Sequence, residues 1–156
     1  MASTSTSREM SVSDLMLQIE EEIHVNAPIA MAFEALLEQL GPEQKAGPNQ
    51  DPMPMKIEAW PGGRWYRDLG NNDGHLWGHV QAIKKPTLLE ICGPLMVSSS
   101  VSNNVQYRLT EVQGGTMIKF HHIAMGIIPE NFKIGVTTGW KMIHERIRKA
   151  AEAKRK

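Results

Sequence analysis

A single cysteine, Cys92, stands in 156 residues, so no disulfide can form within the chain, and a reducing, cytoplasmic setting is expected. With Ile91 beside it in an apolar run, that thiol reads as a small buried hydrophobe rather than a nucleophile. Net charge is missing too. Seventeen Lys and Arg balance 17 Asp and Glu, which leaves no electrostatic footprint for nucleic acid or an anionic membrane. The basic run HERIRKAAEAKRK suits the C-terminal end of a helix. No apolar run approaches the ~18 residues of a membrane span, and the opening MASTSTSREMSVSD lacks the apolar core of a secretory signal. H-E-x-x-H, C-x-x-C, G-x-S-x-G and a phosphate-cradling glycine loop are all absent, so neither a metal nor a cofactor is expected.

What is present is a change of pattern along the chain. Residues 1–14 read as a disordered tail, 15–152 as one folded domain and 153–156 as a basic tail. In LMLQIEEEIHV, Leu15, Leu17, Ile19, Ile23 and Val25 share one parity, the mark of a half-buried strand. NAPIAMAFEALLEQL follows with Asn26 as cap, Pro28 in the first turn and Ile29, Phe33, Leu36, Leu37 and Leu40 at helical spacing. Four prolines in GPEQKAGPNQDPMP predict a linker with one short helical turn. Six strands are then expected, in MKIEAW, RWYRDL, HLWGHVQAI, LLEIC, SNNVQYRLTEV and TMIKFHHIA, with GNNDG as a hairpin turn. Beyond Pro129, Phe132, Val136, Trp140, Ile143, Ile147 and Ala151 form one stripe of a long helix. Such a stripe must be buried, and the sheet is the partner large enough to bury it.

His75 and His79 have the spacing of zinc ligands on a helix. They sit in a strand-like run, however, where positions four apart are separated by about 13 Å. Zinc–nitrogen bonds of ~2.0–2.1 Å rule out sharing one ion at that distance. Strand parity instead decides which polar side chains turn inward. Ile118, Phe120 and His122 share one parity, and Val105, Tyr107 and Leu109 share another. Trp65 and Leu69 carry Arg67 with them, and in HLWGHVQAI the set Trp77, His79, Ile83 is chosen over Leu76, Val80, Ala82. Arg67, His79, Tyr107 and His122 are thus expected on an inner face among Trp65, Trp77, Phe120 and Trp140. Two readings follow: a core whose polar groups satisfy one another, or an apolar cavity with a few convergent polar groups.

The wording GGRWYRDLG…GHLWGHVQAIKKPTLLEICGP, YRLTEVQGGT and the Gly139-Trp140 pair resemble the SRPBCC (START-like, helix-grip) superfamily. The branch most similar is the one named after the activator of heat-shock protein 90 ATPase. The resemblance runs from about Leu15 to Ala151. It implies an α+β fold in which a curved antiparallel sheet is wrapped around a long C-terminal helix, with a cavity between them. Members bind lipids, sterols, hormones and polyketides there, and some are cyclases or hydrolases. The full activator adds an N-terminal chaperone-binding domain that fourteen polar residues cannot replace, which argues against a chaperone partner.

The expectation is therefore a binder of a small apolar or amphipathic ligand, with Trp65, Trp77, Tyr107, Phe120 and Trp140 as walls. Arg67, His79 and His122 would orient a polar or anionic end. The alternatives are an enzyme using His79 or His122 as general base for cyclisation or hydrolysis, and a chaperone-related interaction module. Pairing of two copies is left open.

Overall fold

In the computed structural model, residues 9–156 are described. The first eight residues of the expected tail lie outside them. Val12–Leu15 form a 3-10 turn capped by Ser11, and Lys133 Nζ donates to Asp14 O at 3.3 Å, which ties this turn to the C-terminal helix. The chain then runs β1 (Met16–Val25), α1 (Ile29–Leu40), β2 (Lys45–Ala46), β3 (Asp51–Pro52), β4 (Lys56–Ile57), β5 (Arg64–Gly70), β6 (Asp73–Lys84), β7 (Leu88–Gly93), β8 (Val101–Val112), β9 (Gly115–Gly126) and α2 (Glu130–Lys154).

Seven strands form one antiparallel sheet in the order β1-β9-β8-β7-β6-β5-β4, and β2 pairs with β3 as a separate small hairpin. The alternation in the sequence sets the register. Val105, Tyr107 and Leu109 of β8 lie opposite His122, Phe120 and Ile118 of β9, and all six are buried. Against this face packs α2, burying Val136, Trp140, Ile143, Ile147 and Ala151, the expected stripe apart from half-buried Phe132, together with His144. Each large apolar side chain so buried contributes about 1.5–3 kcal/mol, so the stripe fixes the helix on the sheet. Helix α1 covers the rest of the face beside α2.

Three local expectations change. Asn26 does not cap α1, whose N-cap is Pro28; its side-chain and backbone oxygens accept instead from Arg155 near the end of α2. The proline-rich linker holds no helical turn but the β2–β3 hairpin, closed by a turn from Gly47 to Gln50, both with positive φ. Arg146 of α2 clamps that hairpin through Gln50 and Lys45 O. Finally, MKIEAW pairs only over Lys56–Ile57, because the chain then turns at Pro61 and Gly62 N donates to Val80 O at 2.8 Å.

The β5–β6 hairpin turns on Asn71 and Asn72, with φ of 56° and 65°, as a two-residue primed turn requires. Two bulges interrupt β6. Trp65 pairs with Gly78 and Tyr66 with Leu76, so Trp77 is the extra residue; beyond Val80, Gln81 is another. Gly78 leaves the space the first bulge needs, since a Cβ there would lie 2.7 Å from Cys92 O.

A candidate ligand cleft

Where the bulge turns Trp77 inward, the sheet, the 94–100 loop and the first half of α2 do not close on one another. They leave a cleft of about 530 Å³, inside the ~300–1,000 Å³ range of small-molecule sites. Trp65 and Trp77 form the sheet wall, edge to face with ring centroids 5.1 Å apart. Met96, Val97 and Ser98 supply the loop wall, and Phe132, Val136, Trp140 and Ile143 the helix wall. Gln44 reaches in beneath α1. With its amide nitrogen turned toward the end of α1, it donates to Gln39 O at 3.1 Å and Leu40 O at 3.2 Å. Trp65 is anchored there too, its indole N–H donating to Leu40 O at 2.7 Å.

The helix wall has an unusual composition. Gly135 and Gly139, one turn apart in the first half of α2, both line the cleft, and a Cβ on either would meet nothing within 4 Å. Glycine inside a helix costs about 1 kcal/mol relative to alanine. Neither position is forced by backbone conformation or by crowding. The glycines widen the cleft instead.

Behind Trp140 lies a fully bonded polar chain. The Trp140 indole N–H donates to His122 Nδ1 at 3.0 Å, and His122 Nε2 meets Asn103 Oδ1 at 2.8 Å. An indole nitrogen only donates, so His122 is the tautomer protonated at Nε2, which gives its hydrogen to Asn103. The Asn103 amide closes the chain on Gly93 O and Pro94 O, at 3.2 Å each, and thereby holds the start of the 94–100 loop. A second chain joins α2 to β8. Tyr107 Oη lies 3.0 Å from His144 Nε2, and His144 Nδ1 lies 3.2 Å from Glu21 Oε2 without the alignment of a hydrogen bond.

Of the eight residues expected at a site, the cleft takes three: Trp65, Trp77 and Trp140. Tyr107, Phe120 and His122 face inward as expected but are buried behind that wall, Phe120 packing on Trp140 at 4.8 Å. His79 is a correction. The bulge at Trp77 puts Gly78 and Val80 on the inner face and leaves His79 exposed on the outer one, opposite Arg64 and Cys92. Arg67 is another. It is half-buried at the tip of the β5–β6 hairpin among Arg64, Tyr66 and Asp68, where Leu69 is 64% exposed, because the hairpin runs on past the helices. Phe132, Val136 and Gly139 were legible as helix-stripe and family features without being placed at a site. The Met96–Ser98 loop carried no periodic signal at all.

No protein-family model matches the chain, and no curated protein sequence matches it. Solved structures do. The protein Ara h 8.0201 aligns with a TM-score of 0.59 at 17% identity, over 88% of this chain and 99% of that one. The di-domain ARO/CYC StfQ from the steffimycin biosynthetic pathway aligns with a TM-score of 0.64 at 10% identity, over 92% of this chain and 53% of that one. An uncharacterised protein from Rhizobium leguminosarum gives 0.64 at 16% identity, over 88% and 95%. With a seven-stranded antiparallel sheet packed on a long C-terminal helix, these likenesses decide the architecture. The fold is the helix-grip fold.

In this helix-grip chain burial shifts the titration of the polar groups inside the grip. Burial lowers the His122 pKa from its ordinary value to about 4, with His121 adding to the effect. Burial lowers that of His144 as well, against the pull of Glu21. It also pushes the Tyr107 phenol well above its usual value, with the Glu21 carboxylate adding to the shift. Between its unfolded pKa of ~6.5 and the folded value, His122 is protonated in the unfolded chain and neutral in the folded one. Stability is therefore complete above that range and is lost as pH falls toward 4. The shift corresponds to about 3 kcal/mol for His122. His122→Gln, whose amide offers one acceptor and one donor, is expected to flatten that loss in urea unfolding followed from neutral pH downward. The part due to His144 should remain.

Proposed function

We propose that this chain binds a small apolar or amphipathic molecule in the cleft between Trp65 and Trp77 on the sheet and the first half of α2. The carrying observation is the pair Gly135 and Gly139, which give up helix stability to keep open a space that larger side chains would fill. Trp65 and Trp77 are buried, with Trp65 bonded to Leu40 O, and side chains already held in place lose little entropy when a ligand seats on them. The aligned fold of StfQ, named an ARO/CYC of a biosynthetic pathway, supports a site between sheet and helix by analogy of architecture.

The branch named after the activator of heat-shock protein 90 ATPase is the kinship we propose. It rests on the Gly62-Gly63 entry to β5 and on Gly139-Trp140, the second pair at the cleft itself. The binding unit we propose spans 15–152, and the unpaired thiol of Cys92 fits a cytoplasmic setting. The enzyme alternative loses both bases nominated for it. His79 is on the outer face, and both ring nitrogens of His122 are engaged in hydrogen bonds.

Titration with a neutral naphthalene probe tests the reading. Saturable binding of one probe per chain, with energy transfer from tryptophan, is the expected result. Unsaturable binding, or none, would count against a ligand site.

A further inference from the structure

We infer that this cleft excludes an anionic headgroup and that the ligand it selects carries no negative charge. The inference deepens the proposed function and rests on it. Among the described residues, none that lines the cleft is Asp, Glu, Lys, Arg or His; the polar members of the lining are Gln44, Ser98 and Asn131. A charge taken out of water without a counter-charge is heavily penalised, whereas hydroxyl and amide groups need only a neutral partner.

Beside the lining residues Phe132 and Trp65 in sequence, Lys133 donates to Asp14 O and Arg64 pairs with Glu58 at 2.7 Å. The start of α2, which borders the cleft at Pro129 and Asn131, does not replace them. Pro129 has no N–H, Phe132 N donates to Pro129 O and to Asn131 Oδ1, and the Glu130 carboxylate opposes the field of the helix end. Ser98 and Asn131 are thus left to meet one or two neutral polar groups of an otherwise apolar molecule.

Two probes of one shape test this: anilinonaphthalene sulfonamide and the corresponding sulfonate. Each is titrated into the wild-type chain and into Gly139→Leu, and only the binding that the leucine removes is compared. The neutral sulfonamide is expected to bind at least ~30-fold more tightly than the sulfonate. Comparable or tighter leucine-sensitive binding of the sulfonate would overturn the charge rule and leave the ligand site standing. Absence of leucine-sensitive binding for both would overturn the charge rule and the site alike.

Discussion

Trp140→Ala is expected to lower the unfolding free energy by about 4 kcal/mol, or roughly 10 °C in Tm, measured by urea and thermal unfolding. Three losses combine. The indole leaves a cavity against Phe120, whose ring lies 4.8 Å away, and against His144, on which it stacks at 5.9 Å. It also takes away the donor to His122 Nδ1, leaving a buried nitrogen unpaired in a chain that continues through Asn103 to Gly93 O and Pro94 O. A buried polar atom without a partner costs about 1–3 kcal/mol. Trp140→Phe keeps most of the packing and loses only the donor, so it should cost about 1–2 kcal/mol. Equal losses for the two variants would mean the hydrogen bond, not the volume, is what Trp140 contributes. A loss under about 1 kcal/mol for alanine would mean the sheet and helix do not depend on this contact.

Gly139→Leu is expected to separate binding from folding. A side chain at this position grows into the cleft, where a Cβ meets nothing within 4 Å, so no clash opposes it. Leucine is a far better helix former than glycine, and the variant should be as stable as the parent or more so, by up to ~1 kcal/mol. Affinity for a neutral probe should nonetheless fall at least ~30-fold, because leucine at a position that lines the cleft occupies space the probe needs. Gly139→Ala gives the graded case: the gain in stability with a smaller loss of binding. A leucine variant that binds as well as the parent would place the ligand elsewhere on the chain. The experiment reads affinity and unfolding midpoint on the same samples, so a failure to fold cannot pass for a failure to bind.

Why some of this was legible in the sequence and some was not follows from what each signal measures. The stripe from Phe132 to Ala151 and the alternation in β8 and β9 record burial over many residues, so one irregular position does not erase them. They placed α2 on the sheet and turned Tyr107, Phe120 and His122 inward. A β-bulge shifts parity by one residue and leaves no compositional trace. The bulge at Trp77 reversed the facing of His79 while keeping Trp77 itself buried. Alternation says which side of a sheet a residue faces, not whether anything covers that side; Arg67 and Leu69 sit where the hairpin outruns the helices. His144 and Glu21 escaped for a related reason. Glu21 shares the inward parity of Ile19 and Ile23, and its partner is 123 positions away in α2. The cleft itself is a gap between three elements, and a gap has no residues of its own to show a pattern.

The most direct measurement uses the four tryptophans. In a heteronuclear correlation spectrum of the isotope-labelled chain, each indole N–H gives its own signal. Trp65, Trp77 and Trp140 line the cleft, while Trp60 is 56% exposed and outside it. On titration with the neutral probe, the signals of the three cleft indoles and the amides of Gly135 and Gly139 are predicted to shift together to saturation. That of Trp60 should stay in place. Shifts at Trp60 and along the Arg64–Leu76 hairpin, with the cleft indoles unmoved, would contradict a ligand site between the sheet and α2.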